Sequence, residues 1–223
     1  MPYDLRPLVL TFQLASVTTV ILIFLGIPLA YWLAFTKRKW KYIVETIVTM
    51  PLVLPPTVLG FYLLVLFSPQ HGFGHFLETT FGIRVVFSFA GLVIGSVIFS
   101  LPFTVNPVKS AFQSVPASLI EASYTLGKSK LETLFRILIP NIKPSILTAT
   151  VMSFAHTIGE FGVVLMIGGS IPGKTEVASI AIYTQVESLN YPLANMYSLI
   201  LIALSFGLLL IFYITNRKTL KMY

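Results

Sequence analysis

Cysteine and charge are the two things this sequence has least of. The 223-residue chain contains no cysteine, and only 10% of its residues are charged. The lack of cysteine excludes disulfides, thiolate metal sites and cysteine nucleophiles. Soluble domains carry about 25% charged residues, whereas this chain is 56% hydrophobic with a mean hydropathy of +0.87. The composition therefore indicates an integral membrane protein.

Five apolar runs reach the roughly 20 residues that are needed to cross a ~30 Å hydrocarbon core. None contains Lys, Arg or Asp, Glu45 lies near the end of one run, and Glu160 alone sits well inside another. The first run is too long for a signal-peptide core and follows no basic cluster, which favours a retained span. We predict an all-α polytopic bundle forming one transmembrane domain over 1–223. Its spans lie at about 9–35, 43–67, 86–105, 145–167 and 193–215.

Basic residues collect in alternate loops. Twelve of the 15 Lys and Arg residues lie at 37–41, 109–143 and 217–221, and the other three are divided among the N-terminus and the two remaining loops. The positive-inside rule then places the N-terminus outside and the C-terminus in the cytoplasm, which five spans allow. The net charge of +7 is thus explained by a multi-pass protein of the cell (inner or plasma) membrane rather than by a nucleic-acid surface.

The long loop between the third and fourth spans, about 106–144, has the pattern of two short helices. Pro116 suits a first helical position, and Gly127 can end the first helix in a left-handed conformation. Ser129 and Glu132 have the spacing of a capping box for the second helix. Periodicity alone leaves two alternatives, which are a connecting loop on the bilayer surface and a structured cytoplasmic element.

The second of these helices carries apolar residues at helical spacing. They predict a stripe that faces the membrane domain. The residues of this stripe are Leu131, Leu134, Phe135 and Leu138.

Three segments of this loop resemble the cytoplasmic signature of binding-protein-dependent ABC importer permeases. They are Glu121-Ala122-Ser123, Gly127 and Ile137-Leu138-Ile139-Pro140, with Ser123 and Ile139 replacing the alanine and leucine of the signature. In that family the element is a coupling helix that docks into a cleft on the ATPase subunit. The resemblance assigns ATPase coupling to seven residues. They are Ala117, Ser118, Leu119, Glu121, Ala122, Ser123 and Gly127.

The resemblance extends over about 14–211. Over this range the chain is similar to the molybdate-type branch of these permeases. It is carried by the segments 50–57, 153–162 and 168–175. His156 departs from the pattern, because related proteins often carry Arg there. Sulfate and thiosulfate permeases share much of the pattern, so they stay the alternative to molybdate.

The resemblance implies the assembly and the mechanism. We expect a homodimer of permeases with two cytoplasmic ABC ATPase subunits and an external solute-binding protein. ATP and Mg would bind to the partner ATPase, this chain would bind no cofactor, and a tetrahedral oxyanion would cross by alternating access. The residues show no catalytic constellation, which argues against an enzyme. His71 and His75 are spaced like metal ligands, but the glycines between them favour a solvated turn.

Polar residues at membrane depth are the candidates for the translocation path or gate. His156 precedes Glu160 by four residues, which places both on one helical face. This polar stripe either lines the path or hydrogen-bonds to a neighbouring helix. Prolines in the second span must break its hydrogen-bond ladder, so that segment should face protein or water. The seven candidates are Pro55, Pro56, Thr57, Ser153, His156, Thr157 and Glu160.

Two other functions remain open for the His156 and Glu160 pair. One is an intramembrane enzyme, in which they would form an acid–base pair. The other is an ion-coupled secondary transporter, in which Glu160 would be the proton site.

Gly168 to Thr175 also matches the P-loop pattern. The predicted topology places this segment outside, away from cytoplasmic ATP. Pro172 also removes a backbone N–H from a loop that must bind phosphate through such groups. We therefore interpret the match as a turn.

The predicted orientation can be tested directly, because the chain has no native cysteine. A single cysteine introduced at Gly173 should react with a membrane-impermeant thiol reagent added from outside, and a reporter fused after Tyr223 should be cytoplasmic. Labelling of both in the opposite sense would invert the topology and reopen the P-loop interpretation.

Overall fold

The structure is a computed structural model that describes residues 4–70 and 72–220, with side-chain surroundings up to residue 214. His71 and Lys221, which entered the sequence analysis, lie outside these ranges. The described chain holds three helices that are long and apolar enough to cross a membrane, or up to five if each of two bent helix pairs forms one span. The predicted all-α bundle of about five spans is confirmed.

Two long helices, α1 (Arg6–Phe35) and α5 (Phe89–Ser114), form the centre of the bundle and run parallel. They approach closely because α1 carries a glycine at the crossing: a Cβ atom on Gly26 would lie 2.8 Å from Thr104 Cγ2. Small residues allow this kind of helix contact where lipid supplies no hydrophobic drive for association. We call the end of the bundle at which α1 and α5 terminate the basic end.

The second predicted span, 43–67, is bent by 112°. Three prolines lie at the bend, and each lacks the N–H that would continue the helical ladder. The sequence predicted a break in the helix here, and the structure shows how large the bend angle is. The segment consists of α2 (Lys41–Thr49), a 3₁₀ turn (Met50–Leu52) and α3 (Pro56–Phe67).

The fourth predicted span, 145–167, is not one continuous helix. Its first part, α9 (Lys143–Ile158), ends at Gly159, and α10 (Gly162–Gly168) begins after a break of three residues. A Cβ atom on Gly162 would lie 2.8 Å from Pro56 Cβ. The two broken spans therefore meet at their breaks.

The loop after α5 forms the expected pair of short helical segments. Gly127 has φ of +74° and Ser129 forms the complete capping box with Glu132, which confirms both predictions. Pro116 is the N-cap rather than the first helical residue. The loop also starts later than the predicted residue 106, because α5 continues to Ser114 despite its two prolines. The segments are α6 (Ala117–Thr125), α7 (Lys130–Thr133), a π-helical turn (Leu134–Leu138) and α8 (Ile139–Asn141).

The predicted apolar stripe of this loop is only half correct. Leu134 and Leu138 pack against the core at the basic end, whereas Leu131 is 68% exposed and Phe135 64% exposed. Residues four apart share a helical face, so the four leucine and phenylalanine positions divide into two pairs on different faces. One pair anchors the loop, and the other remains on the surface.

Three further helices complete the described fold. Short α4 and α11 flank the end opposite the basic end, and α12 packs mainly on α11 through its first half. Two larger core clusters fill the bundle, one around Leu14, Leu92 and Val163 and the other around Leu33, Val105 and Phe112. The three helices are α4 (Gly72–Phe81), α11 (Ala178–Glu187) and α12 (Tyr191–Leu220).

Candidate functional site

A half-open cavity of about 530 Å³ lies where the two broken spans meet; we call it the site cavity. It combines prolines and glycines of the helix breaks with aromatic rings and a few polar side chains. Four of the seven path candidates predicted from the sequence are among its lining residues. They are Pro56, Thr57, His156 and Glu160, together with Phe99, Ala155, Gly159, Phe161 and Gly162.

His156 is half-buried and held from two sides. Its Nδ1 lies 2.9 Å from the hydroxyl of Ser100 on α5, and its ring stacks on Phe103 with centroids 4.1 Å apart. The Phe99 ring lies tilted against the imidazole, with centroids 4.9 Å apart. The imidazole is therefore fixed by α5, as in the alternative in which the polar stripe hydrogen-bonds to a neighbouring helix.

Ser153 and Thr157 are buried between α9 and α5 and do not line the cavity. Ser153 Oγ lies 2.7 Å from Thr104 Oγ1, and Thr157 Oγ1 lies 3.2 Å from Ser100 Oγ. These pairs join the two helices by hydroxyl contacts at membrane depth, where a polar group needs a partner. For these two residues the structure favours the helix-pairing alternative.

Glu160 lies in the break between α9 and α10 and is 4% exposed. Its main-chain oxygen accepts a hydrogen bond of 2.6 Å from the Ser179 hydroxyl. Within the described residues, however, neither of its carboxylate oxygens has a hydrogen-bond partner within 3.5 Å. The Ser96 hydroxyl, which is also without a partner at that distance, is the polar group that lies near this carboxyl group. Burying a carboxylate costs several kcal/mol unless it is paired, hydrated or neutral, so such a group is a candidate for function.

The break before α3 presents Thr57 to the site cavity. Pro55 is the N-cap of α3 with ψ of 133°, which turns the chain away from α2. Pro56 then begins the helix, where its missing N–H leaves nothing unsatisfied. Thr57 is exposed and offers a hydroxyl group to the cavity.

Six of the seven predicted coupling residues are exposed on α6 and the following turn, and Ser123 is the exception. The Ser123 hydroxyl is buried and lies 2.9 Å from Thr133 Oγ1 on α7. It therefore joins the two short helices to each other. The remaining residues, with Leu126 at 78% exposure, form a protruding surface that we call the coupling knob.

The segment with the P-loop pattern is a compact turn. Thr175 is fully buried, and its hydroxyl donates to Gly168 O at 2.8 Å and accepts from the Ile171 N–H at 3.1 Å. In a P-loop this hydroxyl would bind Mg²⁺. Residues 162–168 are helical rather than a strand, so the geometry supports the interpretation as a turn.

An ion pair between α2 and α5 was not predicted from the sequence. Lys109 Nζ donates to Glu45 Oε1, and both side chains are only partly exposed. A signal was present, since Lys109 is the single charged residue of α5 and Glu45 lies at the edge of an apolar run. No sequence rule indicated that the two would meet.

The chain is similar to known membrane transport proteins. The family model described as binding-protein-dependent transport system inner membrane component matches residues 26–221. The molybdenum transport system permease protein ModB of Azotobacter vinelandii is 42% identical over 215 residues, covering 96% of this chain and 95% of ModB. The sulfate transport system permease protein CysT of Salmonella typhimurium is 30% identical over 194 residues, covering 87% of this chain and 69% of CysT.

A solved structure shares the fold. The bacterial ABC transporter involved in the import of the acidic polysaccharide alginate matches with a TM-score of 0.81 and 19% identity, covering 98% of this chain and 80% of that chain. A second structure of an alginate ABC transporter, in complex with an alginate pentasaccharide-bound periplasmic protein, gives a TM-score of 0.79 with 20% identity. The family match spans most of the chain, and the fold agrees with it. The chain therefore belongs to the family of inner membrane components of binding-protein-dependent transport systems.

Proposed function

We propose that this chain is the permease subunit of an ATP-driven importer of a tetrahedral oxyanion, with molybdate as the first candidate. The observation that carries this proposal is the 42% identity to a molybdenum permease over nearly the full length of both chains. Sulfate is the second candidate, because a sulfate permease is 30% identical over most of the chain. Thiosulfate has the same charge and tetrahedral shape as sulfate, so it is part of the same second candidate.

The site cavity suits passage of an anion rather than tight binding. Thr57 offers a hydroxyl donor, and the half-buried His156 is held by Ser100 and Phe103. No Lys or Arg lines this cavity among the described residues. Much of the selectivity in such a design belongs to the external solute-binding protein, and the membrane path needs only weak contacts.

The coupling knob is the proposed docking surface for the ATPase. It is a short helix whose small side chains, such as Ala117 and Ala122, are exposed, so it can seat in a groove of a partner. ATP and Mg²⁺ would then bind to that partner, and a movement of the ATPase pair would reach the permease as a rigid-body shift.

A second copy of this chain would complete the path. Five spans are few for a gated polar route, and the site cavity is open on one side in the single chain, where Thr57 is exposed. In the proposed importer the N-terminus lies outside and the C-terminus in the cytoplasm, which places the basic end and the coupling knob on the ATPase side. The external solute-binding protein would deliver the anion at the opposite end.

The proposed activity predicts ATP-dependent uptake in proteoliposomes that contain the permease with its ATPase and its binding protein. Molybdate uptake should require ATP and should be competed by tungstate, while excess sulfate should compete only if the sulfate alternative holds. The measurement is uptake of labelled molybdate and sulfate. Uptake driven by a pH gradient without nucleotide would instead favour an ion-coupled transporter.

Glu160→Gln tests the gate. The carboxyl group of Glu160 is buried without a partner and is costly to ionise until water reaches it. Once it is ionised, a unit charge about 6 Å from a passing anion costs that anion roughly 3 kcal/mol at an effective dielectric constant of ~20, so we infer that ionised Glu160 repels anions. The substitution keeps the size of the side chain and removes its charge. We expect normal insertion and at least about a tenfold rise in anion leak without ATP.

The control for this change is Glu187→Gln, which removes an exposed carboxylate on α11 that bonds to Tyr183 outside the site cavity. It should leave the leak unchanged. If Glu160→Gln also leaves both leak and uptake at the wild-type level, Glu160 acts only in helix packing.

Two substitutions test the coupling knob. Gly127→Val places a β-branched residue at φ of +74°, where a non-glycine residue is disfavoured by about 1–2 kcal/mol, although nothing lies within 4 Å of the new Cβ. Glu121→Lys reverses an exposed charge on α6. We expect both variants to insert normally and to lose ATPase copurification and anion uptake at matched permease levels.

Matched controls separate docking from general damage. Gly207→Val makes the same chemical change on α12, where the Cβ would also meet nothing within 4 Å and φ is not positive. Glu121→Gln removes the charge of Glu121 without reversing it. If both test variants bind the ATPase and take up the anion normally, the loop only connects two spans and is not a docking surface.

A further inference from the structure

A second cavity lies beside α2 at the basic end and contains a cation. It has a volume of about 530 Å³ and is open to the surface. We call it the lysine cavity, because Lys109 reaches into it from α5. Its lining residues are Glu45, Thr46, Thr49, Met50, Val53 and Lys109.

The ammonium group of Lys109 has N–H donors that its bond to Glu45 does not use. A lysine ammonium carries three N–H donors, and within the part of the chain that the structure describes Glu45 is its only hydrogen-bond partner. The Lys109 side chain is 20% exposed and that of Glu45 is 25% exposed. The remaining donors are therefore available to a small anion in the cavity, beside the Thr49 hydroxyl. The Thr46 hydroxyl already donates to Tyr42 O at 2.8 Å.

The two cavities are lined by the same two elements. Phe99 of α5 lines the site cavity and Lys109 of α5 lines the lysine cavity. Ten residues of helix separate them, or about 15 Å at 1.5 Å per residue. The bent second span also lines both cavities. Its part up to Val53 lines the lysine cavity, and its part from Pro56 onward lines the site cavity. Lys109 therefore lies nearer the basic end than the site cavity, on the side toward which an imported anion would leave.

We propose that Lys109 forms a second, transient binding site for the transported oxyanion on its way out, and that Glu45 keeps this site weak. The inference rests on the proposed function and extends it to a named residue. The ammonium and hydroxyl donors match an oxyanion, and charge-assisted hydrogen bonds to oxyanions are the stronger kind. The neighbouring carboxylate opposes the negative charge of the anion. A transport site must bind strongly enough for entry and weakly enough for release.

The alternative is that the ion pair only holds α2 against α5. Single substitutions would not separate the two roles, because each leaves the other charge partly buried and unpaired. The double variant Glu45→Gln with Lys109→Gln removes both charges and keeps the side-chain sizes. If the pair is only structural, this double variant should restore stability and uptake together.

The experiment uses the complete transporter, with ATPase and binding protein, in proteoliposomes, and molybdate and sulfate as the probes. We expect Lys109→Gln to lower uptake at least about tenfold, the loss that one charge-assisted hydrogen bond typically causes, while ATP hydrolysis stimulated by the binding protein continues. Lys109→Arg should keep most of the uptake. The double neutral variant should match the wild type in thermal stability and Lys109→Gln in uptake.

A second measurement reports on anion occupancy. Molybdate preloaded inside the vesicles should slow ATP hydrolysis more strongly in Glu45→Gln than in the wild type, because Lys109 loses its competitor for the anion. In Lys109→Gln the preloaded molybdate should have less effect than in the wild type. Equal responses of all three proteins would overturn the proposal.

The outcomes also separate this inference from the proposed function. If the wild type takes up molybdate or sulfate and the double neutral variant does so equally well, the ion pair is structural and only this inference fails. If the wild type takes up neither anion under ATP, the proposed function and the site at Lys109 fail together.

Discussion

The structure depends on one constraint, which is that backbone polar groups at membrane depth must find partners within the protein or face water. Two spans are interrupted by non-helical residues, at 53–55 and at 159–161. The bundle accommodates both by bringing them together, and Gly162 permits the contact because a Cβ atom there would lie 2.8 Å from Pro56 Cβ. The site cavity thereby contains the irregular backbone of both spans. The long helices around it remain regular and can pack closely.

Charge is distributed along this bundle in a way that suits an anion. A buried carboxylate, Glu160, lies at the site cavity, and the cation of Lys109 lies nearer the basic end, beside Glu45. In the proposed importer, an oxyanion would pass the buried Glu160 and then meet Lys109, whose attraction is weakened by Glu45. Hydroxyl groups dominate elsewhere, as in the contacts of Ser153 and Thr157 with α5. They hold helices together without fixing a charge in the path.

Helix α5 connects all these features. Its 26 residues correspond to about 39 Å of helix, enough to pass from the site cavity to the coupling loop as one rod. Only Val115 and Pro116 separate its end from the coupling knob, and Pro116 has a restricted φ, here −56°. In the proposed importer, a displacement of the knob would reach both cavities through this continuous helix, in which Pro102 and Pro107 each remove one backbone hydrogen bond. This offers a physical route from ATPase movement to the path.

The sequence by itself determined the features that depend on neighbouring residues. These were the apolar spans, the left-handed turn at Gly127, the capping box of Ser129 and a break at the prolines of the second span. The tertiary structure decided which partners polar groups find. His156 lies within hydrogen-bond distance of Ser100, 56 residues away, whereas Glu160, four residues further along the chain, lies beyond the end of α9. Lys109 meets Glu45 across 64 residues. Such pairings depend on how whole helices pack, and local spacing along the chain carries no record of that packing.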